Sequence, residues 1–333
     1  VRDGKIVAVG DVNGSAAHVV DCAGRVVTPG GVDAHAHIEQ MSGMGLMNAD
    51  TFETATRSAA MGGTTSVVSF AAQARGQRLS EAMADYAVRA ERGAAIDHAF
   101  HIIASDWDAP DAEHDLRALI RAGHRSVKIF TTYNIKLDDR AICEVLAIAR
   151  EEGALVCVHA ETDGLIGWTK DRLLAGGKTQ PRHHALSHPR LAEIEAVGRL
   201  IAFAEFFATP VMLFHISTAE GVAAVRAAKA RGVPVWAETC PHYLFMEESV
   251  LDRPGTPLLR LRPRSAKAQI EKNKSFKDRA VKADSAGMHY VPSLAGFPQG
   301  PAIPCLLYTS PSPRDHLSYL VCRLLLEKGG GGG

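Results

Sequence analysis

The chain has 333 residues, 46% of them hydrophobic, and its 37 Lys+Arg are balanced by 37 Asp+Glu to a formal charge of zero. That length holds one large α/β barrel or two ordinary domains, and the apolar share is ample for a packed core. A balanced charge leaves no electrostatic footprint for nucleic acid or an anionic membrane, so the expected partner is a small molecule.

The six cysteines, Cys22, Cys143, Cys157, Cys240, Cys305 and Cys322, form no C-x-x-C pair and no regular framework. This suits buried thiols in a reducing compartment. With no apolar run of eighteen residues and no signal-peptide pattern, the chain reads as a soluble, cytoplasmic protein without a membrane partner.

Residues 1–28 alternate apolar runs with turn residues, as in Lys5-Ile6-Val7-Ala8-Val9 and, after Ala23-Gly24, Arg25-Val26-Val27. They predict two strands of a small sheet, too little to fold alone. From Pro29 onward strand-like and helix-like runs alternate, the order expected of parallel strands with crossover helices. The predicted strands are Gly31–His35, Thr65–Phe70, Ala99–Ile103, Ser126–Phe130, Leu155–His159, Val211–His215 and Val233–Glu238. Between them, amphipathic runs predict helices around Phe52–Met61, Ser80–Arg92, Ala112–Ala122, Asp138–Glu152, Pro189–Phe207 and Ala219–Arg231. Glycine tends to close each helix before the next strand, as αβ turns favour. Seven β units are visible where a (β/α)8 barrel needs eight, so the expected fold is an α/β TIM barrel whose eighth unit is missing.

After about Pro257 the pattern changes. Residues 259–290 carry nine Lys/Arg against three Asp/Glu with no sustained period, and residues 292–313 contain six prolines. A basic nucleic-acid arm is one reading, and loss of reading frame is another that also explains the abrupt end of periodicity. Cys305-Leu306-Leu307-Tyr308-Thr309-Ser310-Pro311-Ser312-Pro313-Arg314-Asp315 resembles translated adapter sequence, and five glycines end the chain. The expected organisation is therefore residues 1–28, an incomplete barrel over 29–258, and a 259–333 tail foreign to the fold.

The stretch Pro29-Gly30-Gly31-Val32-Asp33-Ala34-His35-Ala36-His37 reads as a buried strand ending in two imidazoles. Residues i and i+2 of a strand point to one side, so His35 and His37 can reach one ion from a common edge. Two surface histidines at a strand end are the plainer alternative. His159 and His215 end two later strands and Lys128 lies within a third, and polar residues at the C-terminal ends of barrel strands face a common mouth. Five such residues gathered on four strands are hard to explain as packing. Lys128 sits in the apolar run Ser126-Val127-Lys128-Ile129-Phe130, where an unpaired ammonium is costly to bury. A neutral lysine there can add CO2 to become a carbamate, a bidentate anion able to bridge two cations. The alternatives are pairing with a buried carboxylate or reaching out to solvent.

These residues, with Thr131-Thr132-Tyr133, Val158-His159-Ala160-Glu161, His215-Ile216-Ser217-Thr218-Ala219-Glu220 and Glu238-Thr239-Cys240-Pro241-His242-Tyr243-Leu244, resemble the dihydropyrimidinase (hydantoinase) group of cyclic amidohydrolases over about residues 1–256. The resemblance implies a TIM barrel of the metal-dependent hydrolase type with part of a small N-terminal β-sandwich. It also implies two divalent ions, usually zinc, with His35 and His37 on one, His159 and His215 on the other, and carbamylated Lys128 bridging. Tyr133 becomes the hydroxyl that holds a tetrahedral oxyanion, the alternative being an aromatic packed on the rim. The implied reaction opens a dihydropyrimidine or hydantoin ring with a metal-bridging hydroxide, in a homo-oligomer that is tetrameric in intact members. Allantoinase or another cyclic-amide hydrolase, a non-catalytic scaffold related to dihydropyrimidinase, and an inactive fragment are the alternatives. Dihydroorotases usually carry arginine two residues after the second histidine, where this chain has Glu39, expected to repel a substrate carboxylate. The aspartate that the family places after strand eight has no candidate, since Asp278 and Asp284 fall in the aperiodic tail.

Overall fold

Apolar, β-branched runs alternating with amphipathic ones dictate most of the architecture. The computed structural model describes residues 1–2, 5–12, 14–41, 47–180 and 183–240. The chain divides into two units, Val1–Gly30 and the residues from Gly31 onward.

In the first unit, the predicted strands over residues 5–9 and 25–27 are not formed among the described residues. An isolated antiparallel bridge joins Arg2 and Lys5, and Ile6, Val7, Val9, Val26 and Val27 are exposed. Two short runs without a third strand or a covering helix bury too little apolar area to offset the entropy of ordering them.

The second unit is a seven-stranded, all-parallel sheet of β1 (Gly31–Ala36), β2 (Thr64–Ala72), β3 (Asp97–Ile103), β4 (Ser126–Phe130), β5 (Leu155–His159), β6 (Val211–Leu213) and β7 (Val235–Ala237). The strands lie in sequence order, as right-handed crossovers between successive neighbours produce. The crossover helices are α1 (Phe52–Met61), α2 (Leu79–Gly93), α3 (Ala112–Arg121), α4 (Asp139–Glu152), α5 (Asp163–Ala175), α6 (His184–Ser187), α7 (Arg190–Phe207) and α8 (Ala219–Ala230). Side-chain caps set several of the starts: Thr51 accepts from the Thr54 N–H, Asp138 from Ala141 and Thr218 from Gly221. Gly153 ends α4 at φ 73°, a left-handed turn that glycine enters without a Cβ penalty.

Helices α5 and α6 are not marked by the sequence pattern. In α5 Ile166 is the buried residue while Leu165, Trp168 and Leu174 are exposed, so no single apolar stripe marks it in the sequence. Strand β6, expected to run to His215, stops at Leu213 because His215 has φ 46°, outside the β region. The eighth strand position and the 259–333 tail lie outside the described residues.

Alternation divides the core in two. Val127, Ile129, Val156 and Val158 face the helices and join Leu116, Ile142, Val145 and Leu200 in the larger cluster. The inner face carries a second cluster of Phe70, Ile103, Phe130, Cys157 and Phe214. Lys128 therefore shares the inner face with Phe130, and His159 shares it with Cys157. Register places Lys128 beside Cys157 and Phe130 beside His159.

Candidate metal centre

The inner aromatic cluster forms the floor on which the predicted residues meet. Phe214 lies 4.4 Å from the His35 ring, and the Lys128 Nζ sits 4.0 Å from the Phe214 centroid. Phe70 stacks on His37 at 4.3 Å and meets His35 edge-on at 5.1 Å. The imidazoles form a continuous arc, His37 to His35 at 5.5 Å, His35 to His215 at 5.7 Å and His215 to His159 at 4.4 Å between centroids. Lys128 is buried at 1% exposure, and His35, His159 and His215 are buried with it. Three strand ends and one strand interior thus converge as alternation requires, with His37 just past the end of β1 and His215 two residues beyond β6.

Tyr133 lies in the loop after β4 with its ring 5.5 Å from that of His159. Its φ of 76° is unusual for a bulky side chain and costs about 1–3 kcal/mol, so the surrounding contacts must hold it. Asp163, at the first turn of α5, supplies them. Its carboxylate accepts from the Tyr133 N–H at 3.2 Å, the Thr132 hydroxyl at 3.1 Å and Lys136 Nζ at 2.7 Å.

Acids and amides hold the imidazoles in turn. His35 Nδ1 bonds the buried Glu238, His37 Nδ1 bonds Gln40 Oε1 at 2.6 Å and His159 Nε2 bonds Glu161 Oε2 at 3.0 Å. Sequence reasoning gave none of these three a role. Glu238 carried the signal that exposed His159 and His215, a polar residue directly after an apolar strand, and Glu161 stands two residues beyond His159. A fourth such group is His101, buried on β3. Its Nε2 donates to the Ala34 carbonyl at 2.9 Å, and its Nδ1 bonds the Ser126 hydroxyl at 2.6 Å. Burial pushes the His101 imidazole down to about 4, against the hydrogen bond to Ala34. Burial likewise pushes the Cys157 thiol up to about 12, with Lys128 opposing, so this sulfur is no nucleophile at neutral pH.

The expectation for Glu39 needs correction. Its carboxylate accepts from Arg92 at 2.5 Å and from the Phe52 N–H at the start of α1 at 3.1 Å. It is committed to the helix layer, so its charge is largely compensated there and the expected repulsion of a substrate carboxylate loses its basis.

Among the described residues no three His, Cys, Asp or Glu side chains stand arranged as a metal site. The donor chemistry nevertheless fits one. Imidazole is a nitrogen ligand suited to zinc and its neighbours, and a ligating histidine characteristically gives its other ring nitrogen to a carboxylate, an amide or a carbonyl, as His35 and His37 do here.

The profile of the amidohydrolase family, whose members depend on metal, matches residues 26–239. The chain is 41% identical over 256 residues to a D-hydantoinase of Ralstonia pickettii, covering 76% of this chain and 56% of that one. It is 35% identical over 258 residues to a D-hydantoinase of Geobacillus stearothermophilus, covering 77% and 55%. A solved D-hydantoinase superposes with a TM-score of 0.73 at 41% identity over 76% of this chain and 55% of the other. A dihydropyrimidinase from Brevibacillus agri does so with 0.65 at 36% over 68% and 49%. The chain spans about half the length of the curated relatives it matches. With the family profile running from Val26, ahead of β1, to Thr239, the residue after Glu238, and the sequential parallel sheet carrying its polar residues at one end, the chain belongs to the amidohydrolase family.

Proposed function

We propose that the protein carrying this sequence hydrolyses a cyclic amide, opening a hydantoin or dihydropyrimidine ring. The observation that carries the reading is the arc of four imidazoles around Lys128 and Phe214. The relatives named as D-hydantoinases and a dihydropyrimidinase support the substrate class. Retention of all four histidines and the lysine speaks against a scaffold that has lost its chemistry.

In this reading His35 and His37 would hold one divalent ion and His159 and His215 a second, with Lys128, as its carbamate, completing the ligand set. Zinc is the assigned metal. Bound there, the ions supply Lewis acidity and a water acidified enough to react near neutral pH.

The chain's own residues do the rest. Glu238 and Gln40 fix the ring orientation of His35 and His37 through Nδ1. Phe70, Phe130 and Phe214 exclude water beneath Lys128 and lower the local dielectric, which strengthens every charge interaction above them. As the water oxygen adds to the ring carbonyl carbon, charge develops on the carbonyl oxygen, and the Tyr133 hydroxyl donates to it. The C–N bond then breaks, the nitrogen leaves with the electron pair and takes up one proton of the attacking water, and the other proton passes to solvent as the carboxylate is released.

Residues 29–258 act as the barrel domain, residues 1–28 as part of a β-sandwich and residues 259–333 as sequence foreign to both. The assembly is a homo-oligomer, a tetramer in its intact form, and the compartment is the cytoplasm. The test is metal content by mass spectrometry beside the ring-opening rate on hydantoin and dihydrouracil, for the 333-residue chain and for a full-length version. A full-length protein that binds metal without opening either ring contradicts the substrate class, and one that binds none contradicts the centre.

A further inference from the structure

Strand β1 does not pair evenly with β2. Asp33 lies opposite Val67 and Ala36 opposite Ser69, so three steps along β1 match two along β2 and the register breaks across Ala34 and His35. Such a bulge bends a strand and re-aims the side chains that follow. Two side chains grip this one. Asp33 Oδ1 accepts from the His35 N–H at 3.0 Å, and the Ala34 carbonyl accepts from His101 Nε2.

His101 belongs to β3, which is not a neighbour of β1. Its imidazole reaches along the inner face past Phe70, on which it stacks at 4.9 Å, while the same Phe70 ring stacks on His37. The Ala34 carbonyl can only accept, so Nε2 carries the proton and Nδ1 of the neutral ring accepts from the Ser126 hydroxyl at the start of β4. One buried ring therefore ties β1, β3 and β4 together at the residue immediately before His35.

We propose that His101 is a positioning residue whose Nε2–H, given to the Ala34 carbonyl, holds the β1 bulge that aims His35 and His37 into the mouth of the barrel. The consequence for metal binding rests on the function proposed above, whereas the clamp itself does not. Losing one hydrogen bond of this kind loosens a local opening equilibrium by about tenfold.

The test uses the 333-residue chain with His101→Leu, which keeps bulk but donates nothing, His101→Gln, whose amide can still donate, and Ser126→Ala, which removes the Nδ1 partner. Amide exchange is read without metal, and the visible spectrum of added cobalt(II) is read as a second signal. The clamp predicts exchange about tenfold faster across residues 33–37 in His101→Leu, unchanged exchange across residues 155–159, and restoration in His101→Gln. It also predicts an altered cobalt spectrum in His101→Leu that His101→Gln returns toward wild type. Unchanged exchange in β1, or a His101→Gln variant that behaves like His101→Leu, overturns it. Where His101→Leu does not fold, faster β1 exchange in Ser126→Ala supports the clamp and unchanged exchange there refutes it. A wild-type chain that takes up no cobalt while the exchange shift appears refutes the metal centre and leaves the clamp standing.

Discussion

His35 and Glu238 are 203 residues apart in the chain and joined side chain to side chain. One lies on β1 and the other directly follows β7, so their contact brings the C-terminal ends of the first and last strands of the described sheet together. A flat sheet of seven parallel strands about 4.8 Å apart would hold those ends on the order of 29 Å from each other. The contact therefore reports a sheet curled on itself. It also fixes His35, because a carboxylate on Nδ1 determines which ring nitrogen carries the proton.

Removing that carboxylate weakens the centre without emptying it. Glu238→Gln is expected to lower metal affinity by roughly 10- to 100-fold, the usual cost of losing an orienting partner behind a ligand. Competition titration with a chromogenic chelator measures it, and an unaltered affinity separates Glu238 from the centre.

Lys128→Arg keeps the charge and much of the bulk but cannot form a carbamate. With 13C-bicarbonate supplied, the wild-type chain is expected to give a carbamate resonance by NMR that Lys128→Arg lacks, together with greater metal uptake. Equal uptake by both removes Lys128 from the ligand set.

In the full-length protein, Tyr133→Phe is expected to lower kcat by roughly 10²–10³-fold with little change in KM. In the function proposed above, the hydroxyl would answer the charge that develops in the transition state. Steady-state kinetics on a hydantoin decides, and a change confined to KM makes Tyr133 a substrate-packing residue.

His101 gives the fold an acid sensitivity. Its value of about 4 in the folded chain lies below the ordinary 6.5, with Lys128 and Glu238 as the charged groups acting on it. Between those values the unfolded chain binds the proton and the folded chain does not. This stability is therefore complete above about pH 6.5 and lost as pH falls toward 4, roughly 3 kcal/mol in all. Urea unfolding at pH 7 and pH 4.5 should show a smaller difference in His101→Gln than in wild type, and equal differences argue against the burial effect.

Asp115, buried on α3, is tied to the start of α2. It accepts from Arg78 Nη2 at 2.6 Å, from Arg78 Nε at 3.1 Å and from the Ser80 hydroxyl at 2.7 Å. Arg78 holds its carboxyl well below the usual carboxylate range. The stabilisation is present above the unfolded value of about 3.9 and is lost as pH falls through the folded one. Asp115→Asn is expected to cost about 1–3 kcal/mol at pH 7 and to flatten the acid limb of stability below about pH 4. Chemical denaturation across that range measures both.

The sequence by itself determined the parallel α/β architecture, because hydrophobic period is a local property and a period of two against one of 3.6 separates strand from helix along any chain. Helix α1 falls on its predicted residues, as do β4 and β5. The same alternation put His35, His37, Lys128, His159 and His215 at or within strands whose ends share one side of a barrel. What only the tertiary structure decided concerns groups whose meaning lies in a distant partner. Glu238 is an ordinary acid until the sheet curls and brings it to His35, His101 is a strand residue until it spans β1 and β4, and Glu39 changes its part once Arg92 claims its carboxylate. The left-handed turn at Tyr133 was hidden for a related reason: its N–H is held by Asp163 of α5, and local propensity alone would not place it there.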